Sequence, residues 1–156
     1  METGNYNDYR KWSKYIVTKF PMYLFDRDLY ETVGCGANAL AMLTGDNPWL
    51  IRENNLYNDN YSDEFMLKYL RRHKIKCIKL TKCNLTNRKN DNVIACNITN
   101  KHVVLMSQLI KKAEATWVVN FAGLSWHNFS AATVSYLDMI SHPVVSAYVL
   151  FSPDWK

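Results

Sequence analysis

Gly34-Cys35-Gly36-Ala37-Asn38-Ala39-Leu40-Ala41-Met42-Leu43-Thr44-Gly45 is the stretch on which the fold turns. Glycines flank Cys35 at the head of a run of good helix formers. Gly45 stands where a left-handed C-terminal cap belongs, so the segment predicts one punctuated helix. Three alanines (Ala37, Ala39, Ala41) make it slim, as a helix buried against other elements on several sides would be.

Upstream, Asp8 caps an expected helix through about Lys19, with Tyr9, Trp12, Tyr15, Ile16 and Phe20 on one stripe. Pro21 ends it, because the residue before a proline is pushed out of the helical region. Met22 to Phe25 then reads as extended. Downstream, Asn47-Pro48 starts a new turn, and Asn54 to Tyr61 is an Asn- and Asp-rich loop. Ser62-Asp63-Glu64-Phe65 carries a cap and an acidic first turn, opening a helix to about Arg72. Arg71-Arg72-His73-Lys74 places cations at its C-terminal end, where the macrodipole favours them.

Beyond Lys74 the apolar period changes to two. Strands are expected over Ile75 to Leu80, Asn92 to Ile98, His102 to Ile110, Thr116 to Phe121 and Val144 to Phe151, with a short helix over Val134 to Ile140. Helices in the first half and strands in the second define an α+β fold.

The 156 residues predict one domain, 1–156, large enough for an ordinary core; 48% apolar and 21% charged residues exclude wholesale disorder. A net charge of +5 permits an anionic partner without demanding one. The polar N-terminus has no signal-like apolar region, and no apolar run is long enough to span a bilayer, so a cytoplasmic protein with no membrane partner is expected. In that setting Cys35, Cys77, Cys83 and Cys96 read as free thiols, and the sequons at Asn84, Asn97 and Asn128 as accidents of an Asn-rich composition.

Cys35 carries the chemistry. A helix N-terminus favours an anion, which lowers a thiol's pKa and supplies the nucleophilic thiolate near neutrality. Gly34 and Gly36 would let a substrate backbone come close. The plainer reading is a helix cysteine serving as a small hydrophobe. A thiolate nucleophile also needs a base and a group to orient that base. His102 opens one expected strand and Asn120 ends the next. Joined through Ile110-Lys111-Lys112, the two strands set His102 directly opposite Asn120, on one face of the sheet. A connection one residue longer turns Asn120 to the other face.

These segments together, with Phe65 to Lys76, Lys101-His102-Val103-Val104-Leu105 and Trp117-Val118-Val119-Asn120, resemble the papain-like cysteine peptidases. The likeness is to their compact branch, the bacteriocin-leader-processing peptidases, and runs from about Thr32 to Phe151. It implies a nucleophile helix packed on a C-terminal antiparallel sheet. It also implies Cys35 as nucleophile, His102 as general base and acid, and Asn120 holding the imidazole in its productive tautomer. The Cys35 N–H would serve the oxyanion hole. The chain departs from that family where a Gln usually stands six residues before the cysteine: the position is Leu29, leaving Asn38 or Tyr30 to supply the second donor, or the enzyme weak.

The expected activity is therefore cleavage of a peptide or isopeptide bond in a peptide or protein substrate, with no cofactor. Acyl transfer and side-chain deamidation use the same chemistry. The alternative is a papain-fold binding module without turnover, such as a viral or phage factor gripping a host protein. Trp126 is expected on a loop over the site or core, with His127 exposed beside it or acting as a substitute base; His142 reads as a loop residue. His73, Cys77, Cys83 and Cys96 lack the paired short spacings of structural zinc sites, so no metal is assigned. No Asp or Glu interrupts the cations between Phe65 and Asn90; with only Phe65 and Tyr69 as aromatics, the run reads as a solvated helix and edge strand rather than a nucleic-acid surface.

Overall fold

The computed structural model describes residues 1–5, 9–19, 23, 34–55, 61–81, 103–111, 114–121, 124–126, 133–135 and 144–156. Among them the chain forms β1 (Thr3–Asn5), α1 (Tyr9–Ser13), α2 (Cys35–Thr44), α3 (Pro48–Asn54), α4 (Asp63–Arg72), β2 (Lys76–Thr81), β3 (Val104–Lys111), β4 (Glu114–Phe121), β5 (Leu124–Trp126), β6 (Thr133–Ser135) and β7 (Val144–Phe151). A last 3-10 turn covers Pro153–Trp155. The strands make one sheet in the order β1-β2-β7-β3-β4-β5-β6. The α+β class is thus observed.

Helix α2 forms where its punctuation places it. Gly45 takes φ 80° and donates its N–H to the Ala41 carbonyl, and every residue from Gly36 to Leu43 is buried. Such all-round burial is possible because alanine covers little space and leaves no polar group to satisfy. The acceptor of Asn47 caps α3 by bonding the Trp49 N–H, with Pro48 in the first turn, so the expected turn extends into a short helix. Ser62 caps α4 through the Phe65 N–H, and Met66, Leu67, Tyr69 and Leu70 form its inner stripe.

The C-terminal ends of α2 and α4 are tied together. Asp46, just past α2, accepts hydrogen bonds from the Tyr69 hydroxyl and from His73 Nε2 (2.7 Å) on the same carboxylate oxygen. The Tyr69 and His73 rings stack at 5.0 Å. Burial, then the Asp46 carboxylate, hold the Tyr69 hydroxyl protonated well above its ordinary range.

The sheet corrects the sequence expectation in three ways. It is neither wholly C-terminal nor wholly antiparallel, since Thr3–Asn5 joins β2 in parallel at the edge. The polar start of the chain therefore holds a strand, secured by Trp12, whose ring lies where a Gly4 side chain would be and whose Nε1 donates to the Asn5 carbonyl (3.0 Å). The first helix stops at Ser13: Trp12, Tyr15 and Val17 are buried, while Ile16 is exposed and bridges to Val103. Thr133–Ser135 pairs with β5, so Val134 and Ser135 belong to a strand and not to the start of a helix. The expected strand over 92–98 lies outside the described residues.

Both faces of the central strands are buried. Cys77, Val104, Met106, Trp117, Val119, Tyr148 and Leu150 join α2 and α4 in one apolar cluster. Ile78, Val103, Leu105 and Val149, which alternate with them, are buried on the other face. Deep in the cluster, the Trp117 indole N–H donates to the Tyr61 carbonyl at 2.9 Å. Trp117→Phe keeps the ring packing and leaves that buried carbonyl unpaired. It should cost about 1–3 kcal/mol of stability in urea unfolding, whereas Lys14→Gln, at an exposed position, should cost nothing measurable.

Candidate functional site

Cys35 is the first residue of α2. The helix begins at Gly34, with φ 90° and no side chain capping it, and no acidic residue lies in its first turn. The first intrahelical bond runs from the Asn38 N–H to the Gly34 carbonyl (3.2 Å), so the amides of residues 35 to 37 have no acceptor inside the helix. A helix N-terminus favours negative charge developing beside it. Cys35 is half-buried and packs against the apolar cluster.

The two glycines beside it have different roles. A side chain on Gly34 would meet nothing within 4 Å among the described residues, and its positive φ requires glycine. Gly36 faces the protein itself, because a Cβ at that position would fall inside the ring of Tyr61. The expectation that Gly36 admits a substrate is therefore corrected: its space is filled from within. Tyr61 is held by the Trp117 bond and by edge-on contact with Phe65 at 5.5 Å, so it forms a fixed wall beside the thiol-bearing end of α2. Asn38, one turn into the helix, is 3% exposed.

The hairpin register differs from the one that the triad needs. Lys111 pairs with Glu114 and Leu105 with Asn120. Asn120 thus shares a face with Leu105, whereas Val104 and Met106 alternate to the face that meets α2. Two residues, not three, separate the strands, and this sets the parity. Trp126 pairs with Val119 at the end of a strand and is not in a loop. His102, Leu29, Tyr30, His127, His142, Cys83 and Cys96 lie outside the described residues.

The other described thiol belongs to a different environment. Cys77 is 8% exposed, its sulfur 3.7 Å from the Ile75 carbonyl. Burial, opposed in part by Arg71, pushes its pKa up to about 12. His73 is engaged by Asp46 and by the Tyr69 carbonyl (3.1 Å), and no group of three metal-ligating side chains occurs among the described residues. Sequence reasoning missed Tyr61 and Trp117. The signal available was the aromatic residue directly before the Ser62 cap, a position that commonly folds back on its helix.

Against models of protein families, curated proteins and solved structures alike, the chain finds no match.

Gly36→Ala should destabilise the fold by about 1–3 kcal/mol in urea, since the methyl displaces a ring locked between three elements. The Cys77 thiol gives a second expectation. The folded chain keeps a proton that the unfolded chain loses, so the associated stability is complete below the ordinary value of 9.0 and declines as pH rises towards about 12. Tyr69 and Tyr148, also raised by burial, add their share only above 10.0. Urea midpoints followed against pH should show Cys77→Ala removing the part of the decline that starts near 9.0.

Proposed function

We propose that the protein is a papain-like thiol hydrolase that cleaves a peptide or isopeptide bond, with Cys35 as nucleophile and His102 as general base and acid. The observation that carries this reading is the position of Cys35, first in a ten-residue helix whose N-terminus no side chain caps among the described residues, beside Gly34, where a side chain would meet none of those residues within 4 Å. His102 precedes by two residues Val104, which lies on the face packed against the same cluster as Cys35. In the proposed reaction the Cys35 thiolate attacks the carbonyl carbon, and the oxyanion is met by the Cys35 N–H. His102 passes its proton to the departing amine, and water then hydrolyses the thioester with His102 as base. Substrate enters past Gly34, with Tyr61 as the opposite wall.

The β3–β4 register favours a second reading, in which the fold is kept as a binding module without turnover. The Asn120 position on the Leu105 side of the sheet removes one support for catalysis, and the Leu29 position removes another. The two readings separate in the flask. Iodoacetamide at neutral pH should alkylate Cys35 well before Cys77, and His102→Ala should slow turnover of a peptide substrate by about 10²–10⁴-fold. Asn120→Ala should leave the alkylation rate of Cys35 unchanged. If Cys35 is alkylated no faster than a small unactivated thiol, or if His102→Ala leaves its alkylation rate unchanged, the hydrolase reading falls and the binding module stands.

A further inference from the structure

We infer that the outer face of α4 and the turn that follows it form a docking surface for an acidic polypeptide segment. Between Phe65 and Thr81 the chain has six cations and no Asp or Glu. Lys68, Arg71, Arg72, Lys74 and Lys79 are all exposed, and none of them makes an ion pair among the described residues. Protection of a sheet edge does not account for them. Lys68, Arg71, Arg72 and Lys74 lie on α4 and the turn after it, not on a strand, and Lys79 pairs with both Thr3 and Tyr148, so none of the five guards an open strand edge. Lys68, Arg71, Arg72 and Lys74, on α4 and the turn that follows it, repel one another, and an acidic partner relieves that repulsion.

The chain's own carboxylates mark the chemistry that the surface accepts. At one border Glu2 is held by Lys76 (2.9 Å) and Lys11 (3.4 Å), which lower its pKa. At the other, Asp46 is held by His73 (2.7 Å). Arg71 and Lys76 also share the lining of a shallow cavity with Glu2 and Cys77. A carboxylate-bearing chain laid between these borders would meet the cations of α4 and its following turn.

A nucleic acid fits the surface less well. Its aromatics are turned inward: Tyr69 is 5% exposed, beneath the Arg72 guanidinium and the His73 ring, and Phe65 packs between Tyr61 and Tyr69. No stacking platform is offered to bases.

The surface is independent of whether Cys35 is chemically active, and its test uses the full chain carrying Cys35→Ala. Fluorescence anisotropy should show a labelled oligoglutamate peptide binding at low salt and weakening as salt approaches about 0.15 M, where the screening length falls to about 8 Å. Arg71→Glu with Lys74→Glu should weaken binding about tenfold or more, and Lys68→Gln with Arg71→Gln, which adds no new charge, should weaken it less. Lys14→Glu, on the exposed surface after α1, should leave it unchanged. Circular dichroism confirms that each variant is folded. The inference is overturned if oligoglutamate does not bind, if the α4 variants bind as tightly as the parent, or if an oligouridylate of equal charge binds more tightly than the peptide.

Discussion

The closeness with which Tyr61 meets Gly36 governs the arrangement of the helical layer. A helix buried along its whole length gains little from any one large side chain; it gains from letting its neighbours come near. In α2 the approach is nearest at Gly36, where the Tyr61 ring occupies the side-chain position. The contact is fixed from a third direction by the Trp117 indole, which satisfies the Tyr61 carbonyl inside the apolar cluster. A buried carbonyl without a partner would cost about 1–3 kcal/mol, so this bond decides which strand lies beneath the helix start. The other end of α2 is held by polar groups, through Gly45 in its left-handed conformation and Asp46 bonded to Tyr69 and His73. With both ends fixed, α2 has little freedom to rotate, and the Cys35 position follows.

Local signals carried much of this in the sequence. The glycines around α2, Ser62 before α4 and the apolar run of β7 each act within a few residues, so each can be read where it stands. What was illegible depends on distant partners. The parallel pairing of Thr3–Asn5 with β2 joins segments more than seventy residues apart, and the sequence of β1 is polar with a glycine at its centre. Its stability comes from the Trp12 ring on Gly4, which no period in β1 announces. Likewise Val134-Ser135 has the composition of either a strand or a helix start, and the open edge of β5 decides the outcome.

The β3–β4 hairpin illustrates the cost of a single residue. Strand existence was legible for both, and their facing positions were not, because register parity is set by the turn. Joining Lys111 to Glu114 through two residues puts Asn120 level with Leu105. In a sheet with one solvated face, the wrong parity would be rejected by the pattern of apolar residues. Here both faces are buried, since Val104 and Met106 on one side and Val103 and Leu105 on the other are all apolar. The hydrophobic effect therefore exerts no preference, and composition alone does not choose between the two registers. The triad inferred from the order of Cys35, His102 and Asn120 depended on the one quantity that this hairpin's composition leaves open.

The two helices also set the distance between the proposed chemistry and the basic surface. Tyr61, immediately before α4, lies at the start of α2, and His73, immediately after α4, binds Asp46 at the end of α2; the helices run in the same direction. Ten residues at about 1.5 Å each separate the thiol end from the cationic end by about 15 Å. An extended peptide covers that distance in about five residues. A partner could thus place one segment beside Gly34 and another, acidic, against Arg71 and Lys74 without either element moving. Binding energy gained at the far end would hold the near segment at Cys35. The same geometry serves a module that only grips, so the length of α2 constrains the partner whichever chemistry Cys35 performs.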